Sequence, residues 1–401
     1  MHNSPASGIA EANSLAKTAV IVAGPALIAL IPMAAAPAMP AMAAHFAGDG
    51  HGPLFAQMVM TIPAVLLIVS ATLTGILAEI VGRRTVLLWA LLLFALAGAA
   101  ALVAPNANML IASRLVLGLA GGAVLTSSFS LAGDYPEAHR ERVLGYAGAA
   151  AAIAAIIALT LGGTLVDQFG WRGPFVLYLA SLPVLALAWS AVKHHRHEKH
   201  EHGLFSPIRL LWPFYLLTIV LVIGVFLPGI QGPFLLQEQG VQSAAQQGTI
   251  IAASSLFAAL ASASFGFLRR FLSIGALMVI TALSMGLGCT LVFVLHGVAA
   301  MAVSFALIGI GAGLVEPVTL SIVLSKAPKA MQPRAVGMLL SAVFLGQFLN
   351  PLVLNPIREG YGISHAFLTV GVAFIALSLV LGLRHLATRA RGANTVGGTA
   401  S

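Results

Sequence analysis

RLVLGLAGGAVLTSSFSLAGDYPEAHRERVLG, residues 114–145, returns in altered form as FALIGIGAGLVEPVTLSIVLSKAPKAMQPRAVG, residues 305–337. Gly118 falls opposite Gly309, Gly122 opposite Gly313, Pro136 opposite Pro328, Arg142 opposite Arg334 and Gly145 opposite Gly337. The offset is 191 residues and becomes 192. Apolar runs align easily by chance, whereas loop prolines and arginines held in register do not. A second echo sets Gly75 against Gly266 and Arg83–Arg84 against Arg269–Arg270, with the later copy shortened. Between the copies lies the most polar interior segment, KHHRHEKHEH, residues 193–202. The chain is expected to fold as two related bundles, over 1–192 and 210–401, joined by a His-rich cytoplasmic linker over 193–209.

Hydrophobic residues make up 59% of the 401 and charged residues only 8%, against roughly 25% charged in a soluble domain. So few charges cannot build a water-facing surface, and most of the exterior must face lipid. Twelve apolar stretches reach the roughly 20 residues that a helix needs to cross a bilayer. They cover 17–44, 53–79, 85–104, 107–132, 143–166 and 173–192, then 210–237, 245–268, 272–296, 298–325, 334–356 and 363–386. Barrel strands would instead show about ten residues of alternating polarity. The first stretch is too long and too Pro-rich for a removable signal peptide. The predicted fold class is an all-α membrane protein of twelve transmembrane helices in two pseudo-symmetric six-helix bundles. Parallel six-span repeats are a secondary-transporter architecture, with the substrate site between the halves.

Charge placement predicts the orientation. With the N-terminus inside, seventeen of the twenty Lys and Arg fall on the cytoplasmic side, while Arg172 and Arg358 fall outside and Arg114 lies within a span. That bias predicts a multi-pass protein of the cell inner (plasma) membrane with both termini cytoplasmic. The net charge of +8 is then an orienting bias suited to an anionic leaflet, and calls for no nucleic acid. Cys289 is the single cysteine, so no disulfide forms within the expected monomer.

The loop after the second span reads GILAEIVGRR, residues 75–84. Gly75 and Gly82 permit a tight helix–loop–helix, and Glu79 can meet a helix N-terminus or an arginine at the inner surface. Gly75, Leu77, Ala78, Gly82, Arg83 and Arg84 match the inter-helix motif of the major facilitator superfamily, Gly-x-Leu-Ala-Asp-x-x-Gly-Arg-Arg or Lys. Glu79 replaces the usual Asp. The chain resembles that superfamily and, within it, the twelve-helix drug:proton antiporters. The resemblance implies alternating access, by rocking of two bundles about a central site, with flux driven by the proton gradient and no other cofactor. It makes Gly75, Glu79, Gly82, Arg83 and Arg84, with Arg140 and Arg142, a cytoplasmic gate. The plainer reading is a basic loop that sets topology.

Other residues carry open alternatives. RLVLGLAGGA, residues 114–123, resembles the Arg-and-glycine run of proton-coupled exporters. An arginine inside hydrocarbon needs a partner or a wet cavity. Arg114 is expected either to meet an anionic substrate or tune a nearby carboxylate, or else to anchor the outer interface. Gly162, Gly163, Trp171 and Arg172 resemble the end of the antiporter motif, but Ala158–Leu159 stand where that motif has Gly-Pro. Glu316, followed by Pro317 in GAGLVEPVTL, is the clearest carboxylate inside a second-half span. A buried Glu can take up a proton near neutral pH, and the other reading pairs it with a basic residue in a gate. Pro317 is expected to kink its helix. Gln347 and Asn350 in GQFLNPLVLNP, with Gln231, are substrate-cavity candidates whose amides can equally bond helix to helix.

His194, His195, His197, His200 and His202 in the linker suit Zn²⁺ or Ni²⁺, or a solvated hinge without metal, which is the expectation taken. No phosphate-cradling Gly-rich loop precedes a Lys-Ser or Lys-Thr, so ATP is not expected to drive transport. Nor does any nucleophile–base pair mark an enzyme. The expected function is proton-coupled efflux of a small organic solute. The alternatives are uptake of a small organic anion by symport or uniport, and a non-transporting membrane sensor.

Overall fold

The computed structural model describes residues 5–49, 52–192 and 207–397. The histidines of the linker lie outside the described residues. Among those residues every regular element is helical. Eleven segments are long and apolar enough to cross a membrane, and a shorter apolar helix, Leu211–Val225, stands where the seventh span is expected. The chain is an all-α, multi-pass membrane protein.

The described residues form two compact units, the first holding those up to 192 together with Val241–Thr249, the second holding 207–240 and everything from Ile250. The first unit contains α1 (Pro5–Ala35), α2 (Met39–Phe46), α3 (Pro53–Thr61), α4 (Pro63–Val81), α5 (Arg83–Ala99), α6 (Ala107–Ala132), α7 (Glu137–Phe169) and α8 (Ser181–Ala191). The remaining helices are α9 (Pro207–Val225), α10 (Leu227–Ile230), α11 (Gly232–Glu238), α12 (Ala244–Leu268), α13 (Ile274–Val294), α14 (Val298–Lys326), α15 (Gln332–Tyr361) and α16 (Ile363–Gly397).

Several expected spans are broken, and proline marks the breaks. The seventh runs as α9, α10 and α11, with Pro228 and Pro233 each in a first turn, where a missing N–H costs nothing. The second breaks between α3 and α4 at Pro63, and the sixth opens as a 3-10 helix over Gly173–Ala180. Pro317 does not end α14, which continues to Lys326.

The sequence repeat survives as packing. A Cβ on Gly118 would strike the Pro63 carbonyl, and one on Gly122 would strike Ser70, both on α4. In the second unit a Cβ on Gly309 would strike the Ser254 carbonyl, and one on Gly313 the Ala258 carbonyl, both on α12. In each unit the paired glycines let one helix lie directly on the backbone of another. Such close approach is what associates helices where no hydrophobic drive exists between them.

Candidate functional site

The arginine loop of the first unit is tied down by a residue that the motif does not contain. Gly82 has φ 87°, a left-handed conformation that glycine adopts without strain, and it ends α4 and starts α5 within one residue. Arg83 then donates from Nη1 to Asp134 Oδ1 at 3.2 Å, to the Ser130 carbonyl at 3.2 Å and to Ser130 Oγ at 3.1 Å. Lys17 of α1 donates from Nζ to Asp134 Oδ2 at 2.8 Å and lies 5.1 Å from the centre of the Tyr135 ring. Asp134, in the turn between α6 and α7, thus holds cations from two other elements. Partial burial pushes its carboxyl upward, but the hydrogen bond and charge of Lys17, then the charge and hydrogen bond of Arg83, outweigh it. The carboxyl is held below its ordinary value.

The neighbouring Arg84 points elsewhere, donating from Nη2 to the Trp189 carbonyl at 2.8 Å with its guanidinium over the Trp189 ring. Adjacent arginines so fasten one loop to α6 and to α8. Glu79 is exposed on the last turns of α4, and nothing lies within 4 Å of where a Cβ on Gly75 would be. Arg140 is half-buried and Arg142 exposed on α7, and the structure brings neither to Asp134.

Arg114 is 1% exposed. Its Nη2 donates to the carbonyls of Ala97 and Gly98 at 3.0 and 2.9 Å, and its Nε to Ser113 Oγ at 3.3 Å. Those carbonyls belong to the last turn of α5, where acceptors lack intrahelical donors and a cation meets the negative end of the helix. The guanidinium also lies 4.9 Å from the Phe175 ring centre and 5.2 Å from that of Tyr178. Tyr178 is fixed by donating to the Ile31 carbonyl at 2.9 Å, and it fits because a Cβ on Gly98 would strike it. In this conformation Arg114 braces α5 against the sixth span and is sealed from solute. Its Nη1 has no hydrogen-bond partner among the described residues.

Glu316 is exposed on the second unit, ten residues before the end of α14 at Lys326, about 15 Å along the helix. Its carboxylate makes no hydrogen bond or ion pair among the described residues, so the gate-pair reading finds no partner here. Asn350 is buried and donates from Nδ2 to the Ile223 carbonyl at 2.7 Å, bonding α15 to α9. Gln347 and Gln231 are also buried. Asn355 donates to Glu359 at 2.8 Å on its own helix.

Sequence reading missed two aspartates. Asp134 stands in a short polar loop, GDYP, whose turn residues were legible but whose partners are distant in the chain. Asp167, near the end of α7, accepts from Ser243 Oγ at 2.7 Å and from the backbone N–H groups of Ala244 and Ala245 at 2.8 and 3.1 Å. It caps the start of α12, and its position five residues after Gly162 was the available signal. A Cβ on Gly163 would strike the Ala244 carbonyl, so this glycine and Asp167 seat Val241–Thr249 on the first unit.

The description of the Major Facilitator Superfamily matches residues 23–242. The Methylenomycin A resistance protein of Streptomyces coelicolor is 34% identical over 189 residues, 47% of this chain and 36% of that protein. The Minor myo-inositol transporter IolF of Bacillus subtilis is 30% identical over 207 residues, 45% of this chain and 47% of that protein. The chain thus spans less than half the length of these curated relatives. Among solved structures, the xylose transporter XylE from E. coli, in an inward-open conformation, superposes with a TM-score of 0.72 at 15% identity, covering 91% of this chain and 94% of that one. That likeness is one of fold.

Proposed function

The chain belongs to the Major Facilitator Superfamily, and we propose that it exports a small organic solute in exchange for protons, by alternating access. In this reading it works as a monomer in the plasma membrane, with both termini cytoplasmic and the proton gradient as its energy source. Glu316 carries the reading. It is an exposed carboxylate well inside a membrane helix, and an ionised acid at such a depth is expensive without a partner. Uptake of a proton removes the charge, so its protonation state is sensitive to what else occupies its surroundings. The Lys17–Asp134–Arg83 cluster supports a gate that opens and closes at one end of the first unit. The likeness to a resistance protein supports the outward direction.

Uptake is the second reading. It is favoured by Ala158–Leu159, which replace the antiporter Gly-Pro, and by the likeness to a transporter named for myo-inositol. Flux in proteoliposomes under an imposed pH gradient, across a panel of drugs and organic acids, separates the two. Export predicts solute moving against the proton flow, and accumulation together with protons would reverse the direction. Glu316→Gln is expected to lower gradient-driven flux at least tenfold while solute counterflow persists. Unchanged gradient-driven flux in that variant would remove Glu316 from the coupling step.

A further inference from the structure

Three helices of the second unit carry basic residues at their ends and no acidic residue of their own. α12, α13 and α16 contain no Asp or Glu, and neither does the turn RRFLS, residues 269–273, that joins the first two. That turn is well formed. The Leu272 N–H bonds the Leu268 carbonyl at 2.8 Å, and Arg269 donates from Nη1 to the Leu272 carbonyl at 2.8 Å. The guanidinium of Arg270 is exposed and makes no hydrogen bond or ion pair among the described residues. The turn lies against the far part of α16: Ser273 Oγ and His385 Nε2 are 3.2 Å apart, and α13 packs along α16. Exposed Arg384 is adjacent to His385 on that helix.

The helices next to this surface do not balance it. α14 packs on α13 and α15 on α16, yet Glu316 lies ten residues inside its helix, and Glu359 lies at the end of α15 that leads into the start of α16. The apolar rim is equally distinctive. Phe271 is 72% exposed and Phe267 61%, with ring centres 5.2 Å apart, and Leu383 and Leu386 on α16 are exposed as well. Cations beside exposed aromatic and aliphatic side chains, at the ends of membrane-crossing helices, match a ligand that is anionic at its head and apolar below it.

We propose that the turn 269–273 and the adjoining part of α16 seat the headgroup of an anionic phospholipid, with Arg269, Arg270 and Arg384 facing its phosphate and Phe267 and Phe271 lying against its acyl chains. The source is the bilayer, not a soluble anion, because the aromatic rim has no role for a free phosphate. Each basic residue near an anionic lipid surface contributes about fivefold to binding. Loss of two should therefore lower affinity about 25-fold.

The test is titration of phosphatidylglycerol into the detergent-solubilised full chain, with retained lipid read by native mass spectrometry. Phosphatidylcholine of the same chain length and inorganic phosphate are the other arms. Phosphatidylglycerol should be retained at least tenfold over phosphatidylcholine, and free phosphate should not displace it. Arg269→Gln with Arg270→Gln should abolish that preference, Arg269→Lys with Arg270→Lys should keep most of it, and Lys329→Gln should leave it intact. Because Arg269 also braces its own turn, Arg270→Gln with Arg384→Gln provides a variant that leaves the Leu272 bond in place, and it should lose the preference too. Equal retention of the two lipids, displacement by phosphate alone, or an equal loss in Lys329→Gln would overturn the proposal.

Discussion

The arginine pair of the first unit and its echo in the second have opposite surroundings. Arg83 finds Asp134, which also holds Lys17. At the repeat offset of 192 residues, the position of Asp134 is occupied by Lys326, and the shortened copy 266–270 lacks counterparts of Glu79 and Gly82. The first loop is therefore fastened within its own unit, while Arg270 faces outward. The glycines of the same repeat did not diverge: Gly118 and Gly309 each approach a backbone carbonyl of the neighbouring helix, while Gly122 lies on the Ser70 side chain and Gly313 on the Ala258 backbone. Packing has kept the symmetry of the duplication and charge has broken it.

The largest effects should fall on the shared packing. Gly118→Ala and Gly309→Ala each place a methyl group on a carbonyl oxygen that cannot move aside, and each should destabilise by about 2–3 kcal/mol, read as a lowered thermal midpoint. Gly75→Ala and Gly266→Ala meet nothing within 4 Å and should be neutral or stabilising by up to about 1 kcal/mol. A large loss in only one of Gly118 and Gly309 would break the symmetry of packing.

Next come two of the aromatic-stacked arginines, Arg114 and Arg358. Arg114→Leu leaves two helix-end carbonyls without their buried donor and should cost about 2 kcal/mol. Arg358 is half-buried, with its guanidinium over Phe234 at 4.3 Å, and Arg358→Leu should cost under about 1 kcal/mol. Equal losses would mean that burial does not distinguish them.

These residues show how far the sequence could be read. Apolar run length revealed the helical membrane fold, because it is a local property of the chain. The repeat glycines were legible too, since helix contact without side chains leaves a mark at fixed spacing. Partners were not. Arg114 invites a solute or a carboxylate on the page of the sequence, and only the fold brings Ala97, Gly98, Phe175 and Tyr178 around it. Asp134 lies 117 residues from Lys17 and 51 from Arg83, and no spacing rule joins them. The broken seventh span was signalled by Pro228 and Pro233, but long hydrophobicity windows run across both.

Smaller effects follow from the charge asymmetry. Asp134→Asn should lose about 1 kcal/mol, because the cluster is partly exposed and screened, whereas Lys326→Ala should stay within about 0.5 kcal/mol. The Asp134 carboxyl is held below its ordinary value in the fold. Its contribution is therefore complete above the unfolded-state value of about 3.9 and disappears as pH falls through the lower folded-state value. The difference in thermal midpoint between the wild type and Asp134→Asn should be constant near neutral pH and close only below about pH 4. A difference already closing at pH 6 would place the titration on another group.

The asymmetry itself is tested by paired double-mutant cycles on thermal stability. One cycle combines Arg83→Gln with Asp134→Asn, and the other combines the matched Arg269→Gln with Lys326→Ala. A self-fastened first loop predicts coupling of about 0.5–1 kcal/mol in the first cycle and additivity in the second. Additivity in the first cycle, or equal coupling in the second, would contradict it.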